Sequence, residues 1–251
     1  MWTKKFEFSQ NWRTQIVEYV QSCGIELKVI EDQDTPEIKQ FLQRRYEKAV
    51  ADEICAYDLY QFRKFGHGVL LQGEDGTIQG CIFEVGYDTM DKTSYTIRLA
   101  VYEGFNGHNL GYHLMIYSSL LSMEQGSRVK RGLIQVENLK SLYINLNKVG
   151  WICDGFEPQI TELGTFYEIA LPLDPMGLTA NRIDKDGLLT YIAEKEAGQE
   201  YRLLDHTDIP TIQAMYEETD FKICAVVKEG WLNEHPWLFA LPGRSLQFSP
   251  I

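Results

Sequence analysis

The sequence lacks the features that tie a protein to a membrane or to nucleic acid. No apolar run approaches the roughly 20 residues of a membrane span, and the first eight residues lack the apolar stretch of a signal peptide. The chain carries 24 basic and 36 acidic side chains, a net charge of −12, without a cluster of Lys or Arg. We therefore expect a cytoplasmic protein that binds neither membrane nor nucleic acid, and an acidic surface suits a cationic partner such as an amine.

Several familiar catalytic and metal-binding motifs are also missing. The five cysteines form no Cys-x-x-Cys pair and have no histidine at the spacing of metal ligands; they are Cys23, Cys55, Cys81, Cys153 and Cys224. This dispersed, odd-numbered set indicates reduced, mostly buried thiols. There is no Gly-x-Ser-x-Gly, no His-Glu-x-x-His and no Walker motif. We expect no metal.

What is present is an alternation of helical and strand patterns along the first 173 residues. The predicted strands are Ile25–Ile30, Gly68–Gln72, Thr77–Tyr87, Ser94–Val101, Arg131–Glu137, Trp151–Phe156 and Thr165–Leu173. The predicted helices are residues 10–23, one that begins at Asp34-Thr35-Pro36, about Tyr57–Phe65, Leu110 to about Gln125, and one that Asn138 caps and Gly150 ends. The length of 251 residues fits one large domain, or one domain with an appendage.

The most informative segment is the loop that joins the strand ending at Val101 to the helix beginning at Leu110. It reads Tyr102-Glu103-Gly104-Phe105-Asn106-Gly107-His108-Asn109. A Gly-rich loop at a helix start leaves backbone N–H groups without helical partners, at the positive end of the helix dipole. This arrangement favours a phosphate or pyrophosphate site, although Asn-Gly is also ordinary turn chemistry.

This loop and the element order resemble the GNAT superfamily, the acyl-CoA-dependent N-acyltransferases. The family's loop pattern is Arg/Gln-x-x-Gly-x-Gly/Ala, and the matching positions are Asn106, Asn109 and Gly111. The first two depart from the pattern; Asn109 is the milder change, since Asn tolerates positive φ. The order β-α-α-β-β-β-α-β-α-β-β over residues 25–173 matches the family. The resemblance implies an α/β fold with a central mixed, splayed sheet flanked by helices, here with an N-terminal helix and a C-terminal extension.

The resemblance also implies a set of acetyl-CoA-binding residues. The pantetheine arm is expected to pair with the backbone near Leu99 and Val101, within the splay. The diphosphate is expected on the loop and on the first turn of the helix. The implied residues are Leu99, Val101, Asn106, Gly107, His108, Asn109, Leu110, Gly111 and Tyr112, with Asn138 and Ser141 from the later helix.

The proton donor and the general base stay open. After Asn138 the family has a small residue at +3, here Ser141, a Tyr at +7 and Gly-Phe four residues beyond it. Position +7 is Asn145, and Gly150 follows five residues later. Tyr143 lies about 200° around the helix from that position, so it serves only if the helix starts differently or carries a bulge; otherwise it packs.

For the base, Glu84 lies among apolar neighbours in a strand, where partial burial would suit base chemistry. It could equally be a solvated strand residue. Tyr95 is a second candidate, since it lies on the strand from which the family often supplies a base or a water relay. Glu103 and His108 are further alternatives.

We interpret residues 1–174 as a GNAT-like domain and residues 175–251 as a C-terminal extension. Leu203–Ile212 repeats the pattern of Val29–Ile38, apolar-apolar-acid-x-x-Asp-x-Pro-x-Ile. The extension is therefore either a truncated second GNAT-like unit or a chance recurrence of a common junction. Its apolar residues should dock on the main domain or on a second copy in a homodimer; they are Trp231, Leu232, Trp237, Leu238 and Phe239.

The expected function is transfer of an acetyl group from acetyl-CoA to a primary amine on a small molecule or peptide. The alternative, which the misplaced Tyr143 favours, is a non-catalytic acyl-CoA-binding or partner-binding module with the same fold.

Overall fold

The computed structural model describes residues 12–31, 34–45, 64–88, 92–102, 108–158, 164–173, 184–195 and 197–243. The fold is α/β, as the sequence predicts. The chain divides into two compact units, Phe8–Lys130 and one formed chiefly by Arg131–Ile251. Asn106, Gly107, Glu103 and Cys55 lie outside the described residues, as does most of the helix predicted at 57–65. No helix in the described part is long and apolar enough to cross a membrane.

The first unit is an antiparallel meander with helices. Its elements are α1 (Trp12–Ser22), β1 (Ile25–Val29), α2 (Thr35–Arg45), β2 (Gly66–Gly73), β3 (Ile78–Asp88), β4 (Thr93–Val101) and α3 (Leu110–Glu124), and β5 (Val129–Gln135) begins here. The strand order is β1-β2-β3-β4, each pair antiparallel. The predicted element order is confirmed for the described residues, although β5 begins two residues before the predicted Arg131.

The two faces of β3 have different environments because side chains alternate along a strand. Cys81, Phe83 and Val85 are fully buried in the core cluster that α2 covers. Glu84 lies on the opposite face, where it accepts a hydrogen bond from Ser118 of α3. Both faces of β3 are therefore covered, and a charged side chain is enclosed on one of them.

Strand β4 carries a β-bulge opposite Glu84. Phe83 pairs with Arg98, whereas the next residue, Glu84, pairs with Thr96. Ile97 is therefore the extra residue of the bulge. Bulges bend a strand and are frequent beside active sites, so the sheet is irregular where Glu84 and Thr96 meet.

In the described part of the second unit there are the rest of β5 and nine further elements. They are α4 (Leu139–Tyr143), a π-helix (Ile144–Val149), β6 (Ile152–Glu157), β7 (Phe166–Pro172), α5 (Lys185–Glu194), β8 (Arg202–Asp205), α6 (Ile209–Glu218), β9 (Phe221–Val227) and β10 (Trp237–Pro242). The strand order is β5-β7-β6-β9-β10-β8. The extension's strands thus continue the sheet that β6 and β7 begin, and β6 pairs with β9 at Cys153 and Ile223.

The apolar residues of the extension are buried in part. Leu238 and Phe239 are fully buried, and Trp231 and Trp237 are half-buried against the cluster that contains Ile152 and Phe239. Leu232 is 42% exposed, so the expectation that it is buried is wrong: it lies in the turn between β9 and β10, outside the sheet. The buried apolar residues of the extension therefore pack within the sheet of their own unit.

The repeated sequence pattern places an aspartate just before a helix twice, but the hydrogen bonds of the two aspartates differ. Asp208 caps α6 by accepting a hydrogen bond from the Thr211 N–H at 3.2 Å, and Asp34 accepts one from the Glu31 N–H at 2.7 Å just before α2. The strand order does not repeat, because β1 pairs with the following strand β2 whereas β8 pairs with β10. That the extension is a truncated second unit, and the boundary at residue 174, stay predictions.

Candidate functional site

The start of α3 has the geometry that an anion-binding turn requires. Asn109 immediately precedes the helix with φ 51° and ψ 26°, the left-handed conformation, and its side chain makes no capping hydrogen bond. A Cβ on Gly111 would lie 3.7 Å from Cγ2 of Val101, in ordinary contact. The first-turn N–H groups of a helix have no partners within the helix. The first turn of α3 can therefore present backbone donors, and the lack of a side chain on Gly111 keeps the approach to them open.

Helix α1 contacts the residues at the start of α3, a relationship that the sequence did not reveal. The hydroxyl of Tyr19 donates to the backbone oxygen of His108 at 3.1 Å. The ring of Tyr19 also stacks on His113, with centroids 4.4 Å apart. Cys23 Sγ lies 3.8 Å from His108 Nδ1. These contacts fix the residues just before α3 against the N-terminal helix.

Strand β4 carries partly exposed residues beside the bulge. Leu99 and Val101, the residues expected to pair with pantetheine, are half-buried. Tyr95 is 37% exposed and precedes Thr96, the partner of Glu84. The expected splay would involve strands of both units and stays a prediction.

Glu84 is enclosed and paired with a lysine. Both Glu84 and Lys130 are fully buried, and the Lys130 ammonium contacts Glu84 Oε1 at 2.5 Å. The hydroxyls of Ser118 and Thr96 donate to the same oxygen at 2.7 and 3.1 Å. Among the described residues, Oε2 has no hydrogen-bond partner. Glu84 is therefore not the solvated strand residue that the sequence left as an alternative.

The network continues to a buried histidine. Lys130 also donates to the hydroxyls of Ser118 and Ser119, at 3.3 and 3.2 Å. Nε2 of His67 lies 3.4 Å from Ser118 Oγ. Burial lowers the pKa of His67, with Lys130 adding to that effect and Glu84 opposing it. Burial also lowers the pKa of Lys130, again against the influence of Glu84.

Lys130, Ser118 and His67 were not candidates from the sequence. The signal that could have identified them is a pair of serines within an otherwise apolar helix. Ser118 and Ser119 are fully buried in α3, and buried hydroxyls require partners. Taken with a lone glutamate in an apolar strand, they indicate a polar network inside the core.

The helix after Asn138 explains the irregular spacing of the family pattern. The Asn138 side chain accepts a hydrogen bond from the Ser141 N–H at 3.1 Å, as a cap does. From Ile144 to Val149 the helix is a π-helix, and the Gly150 N–H donates to the Asn145 oxygen, five residues back. A π-turn holds one more residue than an α-turn. This extra residue explains why Gly150 follows position +7 by five residues, where the family pattern has four.

The π-helix does not bring a tyrosine to the position of the family's proton donor. Seven residues after Asn138 stands Asn145, and four residues before Gly150 stands Leu146; both are buried. The π-helix begins after Tyr143, so Tyr143 is not shifted. Asn145 donates to the Ser141 backbone oxygen at 2.9 Å, while its own Oδ1 has no partner among the described residues.

Tyr143 instead belongs to a cluster with the extension. The ammonium of Lys228 lies 3.9 Å from the centre of its ring, and that of Lys148 lies 5.9 Å from it. Trp231 makes an edge contact at 6.2 Å between ring centres. Burial raises the pKa of Tyr143. These contacts are those of a packed aromatic side chain.

No protein-family model matches the sequence, and no curated protein matches it either. Among solved structures, the chain is similar to a chimera of the spermidine N-acetyltransferase SpeG from Vibrio cholerae and hSSAT, with a TM-score of 0.50 and 10% identity over 60% of this chain and 96% of that one. Two others are a GNAT-family acetyltransferase from Streptococcus pneumoniae (TM-score 0.49, 14% identity, 60% and 99% covered) and the ribosomal-protein-S18-alanine N-acetyltransferase from Escherichia coli (0.48, 13%, 60% and 94%). The chain is GNAT-like in its fold, as the sequence resemblance predicts.

Proposed function

We propose that the protein is an acyl-CoA-dependent N-acyltransferase that transfers an acetyl group to a primary amine. The observation that supports this best lies within Phe8–Lys130. A bulged strand, β4, leads to a helix whose first turn is preceded by the left-handed Asn109 and contains Gly111. Such a turn can present several N–H groups to a diphosphate, and an extended ligand can pair with backbone groups near Leu99 and Val101, half-buried residues of β4.

In this proposal Glu84 is the general base. Acylation requires a neutral amine, so an acceptor that arrives as an ammonium ion must first lose a proton. Thr96, half-buried beside the bulge, donates its hydroxyl hydrogen to Glu84 Oε1, and it connects the enclosed carboxylate with the more exposed side of β4. The amine nitrogen then forms a bond to the thioester carbonyl carbon, and the carbon–sulfur bond breaks.

The departing thiolate takes its proton from water in this proposal. Asn145 and Leu146 occupy the positions where the family's tyrosine is expected, and neither has an acidic hydrogen suited to the task. Tyr143 is held by Lys228 and Trp231. Tyr95 stays the second candidate for the base, since it is the exposed neighbour of Thr96.

The second candidate function is a non-catalytic acyl-CoA-binding module. The same pair, Asn145 and Leu146, favours it, because a chain that has lost its proton donor could keep the fold and the ligand site. The diphosphate turn supports both functions equally. A measurement of turnover distinguishes the acyltransferase from the binding module.

The test combines turnover with binding on the full chain. Thiol release from acetyl-CoA is measured with a panel of primary amines, diamines and peptides, alongside a thermal-shift titration with CoA. We expect stabilisation by CoA and amine-dependent thiol release. Stabilisation without release for any amine would favour the binding module, and no stabilisation would count against both.

A further inference from the structure

A chain of hydrogen bonds leads from Glu84 to the protein surface beneath α3. Ser118 Oγ lies 2.7 Å from Glu84 Oε1 and 3.4 Å from His67 Nε2. On the other side of the imidazole ring, Nδ1 lies 3.1 Å from Oε1 of Gln125, an exposed residue at the end of α3. One hydroxyl therefore separates a carboxylate from a buried imidazole that contacts an exposed residue.

The groups around His67 leave it ready to accept a proton. Nδ1 faces Gln125 Oε1, and Nε2 lies 3.3 Å from the Ser118 backbone oxygen as well as 3.4 Å from Ser118 Oγ. Because Oε1 and the backbone oxygen can only accept, both N–H groups of an imidazolium have a partner here. In the neutral tautomer with its hydrogen on Nδ1, Nε2 carries a lone pair near Ser118 Oγ. The charged groups that face the ring are Glu84 from β3 and Lys130 from β5, and burial lowers the pKa of His67. The ring is therefore neutral near pH 7.

Lys130 orients the other half of the chain. Its ammonium has hydrogen-bonding partners in Glu84 Oε1, Ser118 Oγ and Ser119 Oγ. All three of its hydrogens are thus engaged, and none is needed for transfer. A fixed positive charge beside the carboxylate balances the charge of this enclosed site.

We propose that Glu84, Ser118 and His67 form an exit path for the proton that amine acylation releases. This inference rests on the proposed function. An ammonium ion and a thioester give an amide, a thiol and one proton. One nitrogen hydrogen stays on the amide, one replaces the proton that water gives to the departing thiolate, and the third must reach solvent.

The transfer proceeds in two moves. Protonated Glu84 gives its proton to Ser118 Oγ while that oxygen passes its own hydrogen to His67 Nε2. The imidazolium then releases its Nδ1 hydrogen to water beside Gln125, which leaves a neutral ring with its hydrogen on Nε2. Rotation of the ring and of the Ser118 hydroxyl returns an N–H to the Gln125 side and a lone pair to the Ser118 side before the next turnover. The carboxylate is restored for the next turnover. In this role His67 is a positioning and relay residue that does not touch the substrate.

The experiment compares His67→Gln and His67→Ala in the full-length protein with the most active amine from the panel. Glutamine can keep hydrogen bonds but cannot relay a proton. We expect kcat to fall at least about tenfold in both variants, with the KM for acetyl-CoA unchanged, and added imidazole to restore His67→Ala. The matched control is His206→Gln, in the turn after β8, which should leave kcat unchanged.

Each outcome bears on the proposal separately from the function. Normal kcat in both His67 variants, or a loss that imidazole does not restore, would overturn the exit path while the acyltransferase stands. A wild-type protein without turnover would overturn both. If the variants do not fold, the dependence of wild-type kcat on the deuterium fraction of the solvent decides. A curved dependence, from several protons in motion, supports the path, and a linear one contradicts it.

Discussion

The side chain of Asn147 binds both backbone groups of Val226. Its Nδ2 donates to the Val226 oxygen at 3.1 Å, and its Oδ1 accepts from the Val226 N–H at 2.8 Å. Val226 lies on β9, which pairs with β6 only at Cys153 and Ile223. The π-helix thus supplies, through one amide side chain, the hydrogen bonds that a neighbouring strand would supply.

Replacing Asn147 by Leu should destabilise the protein. Both backbone groups of Val226 would lose their side-chain partner in a buried site, which costs about 1–3 kcal/mol or more. Urea unfolding followed by circular dichroism measures the change. Gln213→Leu, at a half-buried position of α6 where the amide donates to the exposed carboxylate of Glu217, is the control and should change stability little. An unchanged midpoint for Asn147→Leu would contradict the structural role of this contact.

Replacing Gly111 by Val should weaken CoA binding without loss of folding. A Cβ at this position meets only ordinary contact with Val101, so the helix can accept it, but the added branches would occupy the approach to the first-turn N–H groups. Isothermal titration with CoA should show at least about a tenfold weaker affinity, about 1.4 kcal/mol. Glu124→Val, in the last turn of the same helix, is the control. Equal affinity in the two variants would remove the support for this turn as the diphosphate site.

Replacing Glu84 by Gln should lower turnover by roughly 10²–10⁴-fold with little change in CoA affinity, because a general base contributes about that much. The acid limb of the pH–rate profile should shift or vanish. Tyr143→Phe is the comparison, and its effect should be small because its ring is packed among Lys228, Lys148 and Trp231. A Glu84→Gln variant with a normal rate and profile would direct the search to Tyr95 or to water.

The stability of the protein should fall in mild acid because of His67. The folded state lowers the pKa of this ring by burial, whereas the unfolded chain keeps a pKa of about 6.5. Below that pH the unfolded state binds a proton that the folded state does not, so the free energy of unfolding decreases as the pH falls. Urea unfolding at several pH values should show a slope of at most about 1.4 kcal/mol per pH unit from this group. The slope should shrink in His67→Gln; an identical slope would show that other groups cause it.

Cutting the chain at Pro175 should cause aggregation or loss of stability. The cut removes β8, β9 and β10, which continue the sheet beyond β6, and uncovers buried Ile152. Each large apolar side chain left exposed costs about 1.5–3 kcal/mol. Size-exclusion chromatography and thermal unfolding of residues 1–174 provide the measurement. If the extension also forms a wall of the acceptor pocket, the KM for the amine should rise more than that for acetyl-CoA. A soluble, fully active fragment would mean that the extension is an independent appendage.

The sequence by itself determined the order of the elements and their local ends. Hydrophobic periodicity located the strands, Asn138 and Gly150 marked the ends of a helix, and the Gly-Asn loop identified the turn before α3. These features depend on residues close together in the chain, where side-chain period and backbone preference act directly. The left-handed conformation of Asn109 is likewise a local feature, which its own residue type favours.

The tertiary structure alone decided what surrounds Glu84. Its partners come from β4, β5 and α3, between 12 and 46 positions away in the numbering, since Thr96 and Lys130 are the nearest and farthest of them. No local pattern encodes such a pairing. The same holds for the π-turn, for Asn147 on Val226, and for Lys228 on Tyr143. A buried charge is stable only where distant elements bring it partners, so only the folded chain determines which residues surround Glu84.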